Sequence, residues 1–288
     1  MRQWSIGRHF RLIREVSEPT GRGPGNGQYA LQKALRNRGA DWLSIGGRLK
    51  NDEIPWFWCW LDRDQAADCA KKNSSFVIGP NMLFENSRFA CRLTGERAIM
   101  NAATCRLIFT ESDWYRRLIE QCRGPMNDAP IVTWPYPIDP KPGAPLQPTN
   151  DLLIFAKSGY RHSLIVRLQR AYSRSTVIEY GRFRRERLFE VARRSRACVY
   201  LSNDDRGPLA LAEILLAGCP TIGIATGSPF VIHGRTGFIL EQLNYAECVN
   251  AIEDAMELDR WQIAATAGKQ FDTDAIVDKI LNSLRSQI

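Results

Sequence analysis

Residues 197–240, ACVYLSNDDRGPLALAEILLAGCPTIGIATGSPFVIHGRTGFIL, carry the reading of the fold. The apolar run 197–201 has the length of a buried strand and is too short for a helix. Asn203, Asp204, Asp205 and Gly207 then turn the chain. Pro208 suits the first turn of a helix whose apolar face is Leu209, Leu211, Ile214 and Leu215. Gly218 closes that helix, and Pro220 stands where it cannot continue. Residues 221–225 give the next strand and 237–240 a short last one. Strand, helix and strand in this order predict a parallel α/β unit. Open sheets of that kind take ligands at the carboxyl ends of their strands.

Two acids mark that edge. Asp205 lies at the mouth of the turn and Glu213 on the second turn of the helix, eight residues later. By spacing alone they either face one crevice or are a solvated turn acid and an ordinary helix-surface Glu. With Ala217, Gly218 and Pro220 behind them, they resemble the group 1 nucleotide-sugar-dependent glycosyltransferases of the retaining type. Those enzymes carry an acid, seven other residues, Glu, a small-residue helix end, Gly-x-Pro and a short strand. Gly227 and the run His233-Gly234-Arg235-Thr236-Gly237-Phe238 are similar to the family's closing glycine-rich loop and G-x-x-G-F turn. Residues 23–35, 107–118, the turn Pro135-Tyr136-Pro137-Ile138-Asp139 and Tyr180-Gly181 extend the resemblance over most of the chain.

The resemblance implies an α/β protein of the GT-B fold, two Rossmann-like domains with parallel sheets facing a cleft. It places Glu213 on the ribose hydroxyls of the donor and Asp205 near the transferred sugar. Lys157 and Arg161, just after the first strand of the second domain, are assigned to the diphosphate; a basic loop capping a helix start is the equally open reading. His162 is a phosphate contact or plain surface. Arg206, Gly207 and Leu209 occupy the stretch that brings backbone N–H groups to the diphosphate, and Gly181 precedes the helix that supports the base. Gly25 and Gly27 either admit close approach of a sugar or acceptor to the backbone or only shape a turn. Within residues 205–208 the pattern departs from the family at two points. Asp205 is one methylene shorter than the usual Glu, and Pro208 has no N–H to donate.

The activity implied is transfer of a hexose from a nucleotide-sugar to a glycan or lipid-linked acceptor, with retention. A catalytically silent partner subunit and a basic binder of nucleic acid or acidic lipid are the alternatives. No general base stands out. His9 falls in a start read as flexible, His233 in the glycine-rich loop, and residues 74–81, SSFVIGPN, hold none. Retaining members do without a strong side-chain base, because the leaving phosphate accepts the proton. Glu111 and Asp113 follow a strand, with Ser112 or Asp113 better placed as a helix N-cap. No His, Asp or Glu cluster has metal-ligand spacing, so no cofactor or metal is expected.

Composition fits this picture. The chain has 288 residues, enough for two domains with separate cores, at 44% hydrophobic and 24% charged residues. No apolar run reaches a membrane span, and residues 1–14 lack the apolar core of a secretory signal. Eight scattered cysteines without a C-x-x-C pair read as reduced core thiols in a cytoplasmic protein. Net charge is +8. The densest basic cluster, Arg182, Arg184, Arg185, Arg187, Arg193, Arg194 and Arg196, lies in and before a helix read over 184–196, where it reads as a solvated face. Nucleic-acid binding is disfavoured for want of any recognition motif, and the charge can equally attract an anionic leaflet, in peripheral contact at the inner membrane face.

In the first half, strands are expected at 11–16, 42–45, 54–61, 75–78, 105–110 and 131–134, with helices at 28–38 and 114–121. Trp56, Trp58 and Trp60 alternate along one expected strand and read as core rather than as a sugar-stacking face. Six prolines between Pro135 and Pro148 predict a linker. The domains are therefore set at 1–145, acceptor side, and 146–288, donor side. The second domain has expected strands at 152–156, 176–180, 197–201, 221–225 and 237–240, then helices at 245–256 and 259–269. A last helix, 274–286, packs back on the first domain in the family.

Overall fold

The computed structural model describes residues 9–18, 24–81, 94–123, 127–139, 141–158 and 162–287. In chain order the first elements are β1 His9–Leu12, α1 Pro24–Arg38, β2 Leu43–Ile45, β3 Glu53–Cys59, α2 Arg63–Lys71, β4 Phe76–Asn81, α3 Thr94–Asn101, β5 Cys105–Thr110, α4 Asp113–Arg123 and β6 Ile131–Thr133. Then come β7 Asn150–Ser158, α5 His162–Ala171, β8 Ser175–Glu179, α6 Arg185–Arg194, β9 Ser195–Ser202 and α7 Leu209–Leu216. The last are β10 Thr221–Ile224, β11 Gly237–Leu240, α8 Tyr245–Met256, α9 Arg260–Gln270 and α10 Thr273–Arg285. The chain divides into two compact units, one of residues 1–18, 28–135 and 273–288, the other of 19–27 and 136–272.

The first unit holds a six-stranded parallel sheet in the order β2-β1-β3-β4-β5-β6. Phe57, Phe76, Ile78, Ile108, Tyr115 and Ile119 pack together in one of its cores. Trp56, Trp58, Phe109 and Trp134 form a contiguous aromatic group, with ring centroids 5.0 to 5.8 Å apart. The strand ends at Cys59, and Trp60 opens a single 3-10 turn, so Trp60 does not continue the alternation of Trp56 and Trp58 along the strand. β1 starts earlier than expected and stops at Leu12, so His9 belongs to a strand rather than to a loose start. Arg38 of α1 pairs with Asp278 of α10, both within this unit.

The second unit holds a five-stranded parallel sheet in the order β11-β10-β9-β7-β8. Its middle strands are near-continuous apolar runs, as strands covered on both faces must be. One face buries Leu153, Phe155, Cys198 and Tyr200 under α6, α7 and α9. The other buries Leu152, Ile154, Val199 and Ile222 under α5 and α8. Phe155 and Tyr200 stack with centroids 5.0 Å apart and planes 6° from parallel. From β7 the chain steps out to β8, then returns to the other side of β7 to lay β9, β10 and β11. Open α/β sheets bind their ligands at such a reversal, here between the carboxyl ends of β7 and β9.

Some boundaries differ from the sequence expectation for local reasons. α1 begins at Pro24, whose fixed φ and missing N–H suit a first helical residue, so Gly25 and Gly27 are helical and not loop. Pro208 stands at the N-cap of α7, not inside its first turn. The basic helix stops at Arg194, and Arg196 already lies in β9. Helices α2 and α3 were not expected at all. Cys105, Cys198, Cys219 and Cys248 are free and buried. No helix among the described residues is long and apolar enough to cross a membrane.

Candidate active site

Lys157, near the end of β7, and Asp205, in the connection after β9, meet at the strand-order reversal. The Lys157 ammonium pairs with Asp205 Oδ2, and the Tyr200 hydroxyl donates to the same oxygen at 3.0 Å. Asp205 is buried, and its backbone N–H donates to the Thr226 carbonyl at 2.8 Å. Thr226 in turn donates through Oγ1 to the Asn203 carbonyl at 2.6 Å. The acidic turn is thus clamped to the loop after β10. Gly227 permits that clamp, since a Cβ there would lie 1.9 Å from the Ser202 carbonyl oxygen. Burial pushes the Asp205 carboxyl up, against the pull of Lys157, Tyr200 and Arg206 in the other direction. Burial and the Asp205 charge push the Tyr200 phenol well up, so it is a donor at any working pH. Asp205 Oδ1 takes no hydrogen bond from the described residues.

The second carboxylate is also buried and paired. Glu213 is 4% exposed, which removes the reading of it as a surface helix residue, as 9% does for Asp205 as a solvated acid. Arg185, the first residue of α6, pairs through Nε with Glu213 Oε1. Its Nη1 donates to the Asp139 carbonyl at 2.8 Å. Arg185 is therefore no part of a solvated face. Arg193 is half-buried and donates to the Ala144 carbonyl at 2.7 Å. Burial lifts the Glu213 carboxyl to about 7, opposed by Arg185 and reinforced by Glu186.

The remaining expected positions are spread over both units. Arg206 and Gly207 are half-buried between Asp205 and the start of α7, and Leu209 is its first helical residue. A Cβ on Gly27 would sit 2.7 Å from Tyr136 Cβ and 3.1 Å from Leu209 Cδ2, so Gly27 lets the start of α1 lie against the start of α7. Gly25, two residues earlier, lies in the first turn of α1. Gly181 has φ +84° with open space beside it, in the connection from β8 to α6. Arg161 lies outside the described residues, and His162 opens α5 as an exposed residue. His233 accepts from the Ile239 N–H at Nδ1, 3.1 Å away. Glu111 is buried, and Ser112 Oγ accepts from the Tyr115 N–H at 3.4 Å as α4 begins. Among the described residues no three His, Cys, Asp or Glu side chains come together in a metal-binding group.

Neither Tyr200 nor Arg185 takes a site role from the sequence, and Arg185 reads there as part of a solvated face. A hydroxyl near the end of an apolar strand is a usable signal for the first, because a buried phenol needs a partner. Nothing local singles out Arg185 from Arg182, Arg184 and Arg187.

The chemistry this assembly offers is specific. Lys157 lies at the carboxyl end of β7, Arg185 follows β8, and Asp205 and Glu213 follow β9, three adjacent strands. Each carboxylate has one oxygen committed to a cation and one not. A cation held at a strand end stabilises negative charge that develops beside it, and a fixed carboxylate accepts from sugar hydroxyls.

No family model matches the chain, and no curated protein matches it. Solved structures do. Sucrose-phosphate synthase from Thermosynechococcus elongatus aligns with TM-score 0.68 at 13% identity, covering 97% of this chain and 99% of that one. HepE from Anabaena, in complex with UDP-glucose, aligns with TM-score 0.69 at 15% identity, covering 96% and 99%. The lipopolysaccharide outer core galactosyltransferase WaaB, in its apo form, aligns with TM-score 0.60 at 12% identity, covering 92% and 80%. With its two parallel sheets and this match along nearly its whole length, the chain has a GT-B-like fold, that of these glycosyltransferases.

Proposed function

We propose that the protein transfers a hexose from a nucleotide-sugar donor to a glycan or lipid-linked acceptor, with retention at the sugar carbon. The observation that carries this is a pair of buried carboxylate–cation contacts in the second unit, Lys157–Asp205 at the reversal point of its sheet and Arg185–Glu213 between α6 and α7. Support comes from the fold and from the UDP-glucose bound by HepE. In this reading Glu213 accepts from the ribose hydroxyls and Asp205 from the sugar. Lys157, with Arg161, neutralises the diphosphate, and Arg206, Gly207, Leu209 and Gly181 line the donor. Gly25 and Gly27 lie on the sugar side. As the C1–O bond to phosphate breaks, the leaving diphosphate gains charge that Lys157 offsets more in the transition state than before it. The acceptor oxygen forms its bond to C1 on the same face, and its proton goes to the leaving phosphate oxygen. No metal is assigned a part. The +8 charge supports contact with an anionic leaflet carrying the acceptor.

A second reading, a silent partner subunit, is favoured by two features. Lys157 is already neutralised by Asp205, and Pro208 withholds an N–H at the start of α7. Donor-hydrolysis turnover by the purified protein separates the two, since detectable release of nucleoside diphosphate excludes silence. The donor site itself is tested by thermal unfolding against a panel of nucleoside diphosphates and nucleotide-sugars. A selective rise that Glu213→Ala abolishes, with the fold intact, is the expected result. A Glu213→Ala protein binding nucleotide with unchanged affinity overturns the assignment.

A further inference from the structure

Arg185 is held on three sides. Its Nε pairs with Glu213 Oε1, its Nη1 donates to the Asp139 carbonyl at 2.8 Å, and its guanidinium carbon lies 5.0 Å from the centre of the Phe189 ring. Its side chain is 13% exposed and that of Glu213 is 5% exposed, so neither charge is shared freely with water. A planar fork meets a carboxylate and a carbonyl at once; a lysine ammonium brings the charge without the fork. The consequence falls on Glu213. With Oε1 fixed, the carboxylate plane is fixed, and Oε2 takes no hydrogen bond from the described residues.

We propose that Arg185 is a positioning residue of the donor site, holding Glu213 as a carboxylate with one oxygen tied to the protein and the other presented to a ribose hydroxyl. This rests on the reading of Glu213 as the ribose acceptor. Arg185 does not touch the donor in this account; it acts through Glu213. It also ties that carboxylate to the segment ahead of β7, through the Asp139 carbonyl.

The charged groups facing Glu213 are few. Arg185 and Glu186 both come from the first turn of α6, the one favouring the carboxylate and the other opposing it. α9, also packed against α7, presents Ile263 and Ala267. The segment before β7 contributes the Asp139 carbonyl, which accepts from Arg185. Burial already lifts the Glu213 carboxyl to about 7, so loss of Arg185 moves its titration further upward. Ribose recognition then weakens at neutral pH and returns in mild alkali.

The experiment is calorimetric titration of the wild type, Glu213→Gln, Arg185→Met and Arg185→Lys with UDP, GDP and ADP and with their 2′,3′-dideoxy forms, from pH 6 to 9. The wild type is expected to prefer the ribose form, and Glu213→Gln to lose that preference. Arg185→Met is expected to lose about tenfold in the preference at pH 7 and to regain part of it at pH 9, as loss of one oriented charged contact implies. Arg185→Lys is expected to keep the wild-type pH profile with a smaller preference, and it keeps the test decisive if the methionine variant misfolds. A wild-type preference and pH profile in both Arg185 variants overturns the role of Arg185 and leaves the ribose site standing. No binding of any nucleotide by the wild type overturns both together.

Discussion

Replacing Arg260 by methionine is expected to destabilise the second unit by about 3 kcal/mol. Arg260 opens α9, and its guanidinium donates to four carbonyls: Gly218 at 3.1 Å, Leu146 at 2.7 Å, Ala192 at 3.4 Å and Arg193 at 2.6 Å. Two of these belong to the end of α6 and one lies just past α7, so the cation sits at the negative ends of two helix dipoles. A hydrogen bond from a charged donor is worth roughly 1.5–3 kcal/mol, which makes the gross interaction several times the expected net loss. Two effects offset it. The guanidinium itself is partly desolvated, enough to pull its pKa down, and that cost returns when it is removed. Water also reaches carbonyls near the surface. Methionine matches the stem without any donor, so it isolates the polar contribution. For a unit of this size the loss corresponds to a fall of about 6–12 °C in melting temperature. Scanning calorimetry with a urea series measures both. Arg260→Lys, with one compact ammonium, should recover less than half. A methionine variant within about 1 kcal/mol of the wild type would show that solvent satisfies these carbonyls and that the four bonds do not act as a staple.

Three further outcomes follow from the site. Tyr200→Phe removes one of two donors to a buried carboxylate, and urea unfolding should show a loss of about 1–2 kcal/mol with Asp205 titrating still higher by carboxyl-resolved NMR. Gly227→Ala drives a methyl into the Ser202 carbonyl, and a loss of more than about 2 kcal/mol is expected unless the clamp on the acidic turn opens. Glu213 is lifted from 4.5 to about 7, so it contributes stability that is complete below about pH 4.5 and lost as pH rises through about 7. Glu213→Gln should remove that fall, and an unchanged pH slope of unfolding free energy between 4.5 and 7 would show that Glu213 is not the group responsible.

The parts of the fold visible in the sequence are those where local pattern and burial agree. Residues 152–156 and 197–201 are uninterrupted apolar runs because helices cover both faces of β7 and β9. α2 was invisible for the opposite reason. Its residues RDQAADCAK bury fully only Ala66, so the stripe that marks a helix is made of alanines. The sequence pattern starts α1 at residue 28 because glycines at 25 and 27 read as loop, whereas Gly27 is set by a close approach to Tyr136 and Leu209 that no local signal reports. At the site, Lys157, Asp205 and Glu213 are each legible as charged residues beside strand or helix ends. Their pairing is not. Asp205 meets Tyr200 because a turn folds the acid back over the strand end, and Glu213 meets Arg185 because α6 and α7 pack side by side. Such contacts depend on strand order, which spacing along the chain does not encode.

The two sheets share a strand order up to the extra edge strand of the first, and each reverses between its first and third strand. At the first reversal Arg14 donates to Asp62 at 2.7 Å, just beyond β1 and β3; at the second Lys157 pairs with Asp205. The chain shows no repeat in its letters, yet each half places a cation against an acid at the same station of the same topology. Such a layout is modular in a practical sense. Residues at one station can be exchanged to alter what is recognised there while the other half, with its own sheet and its own core, is left to fold as before.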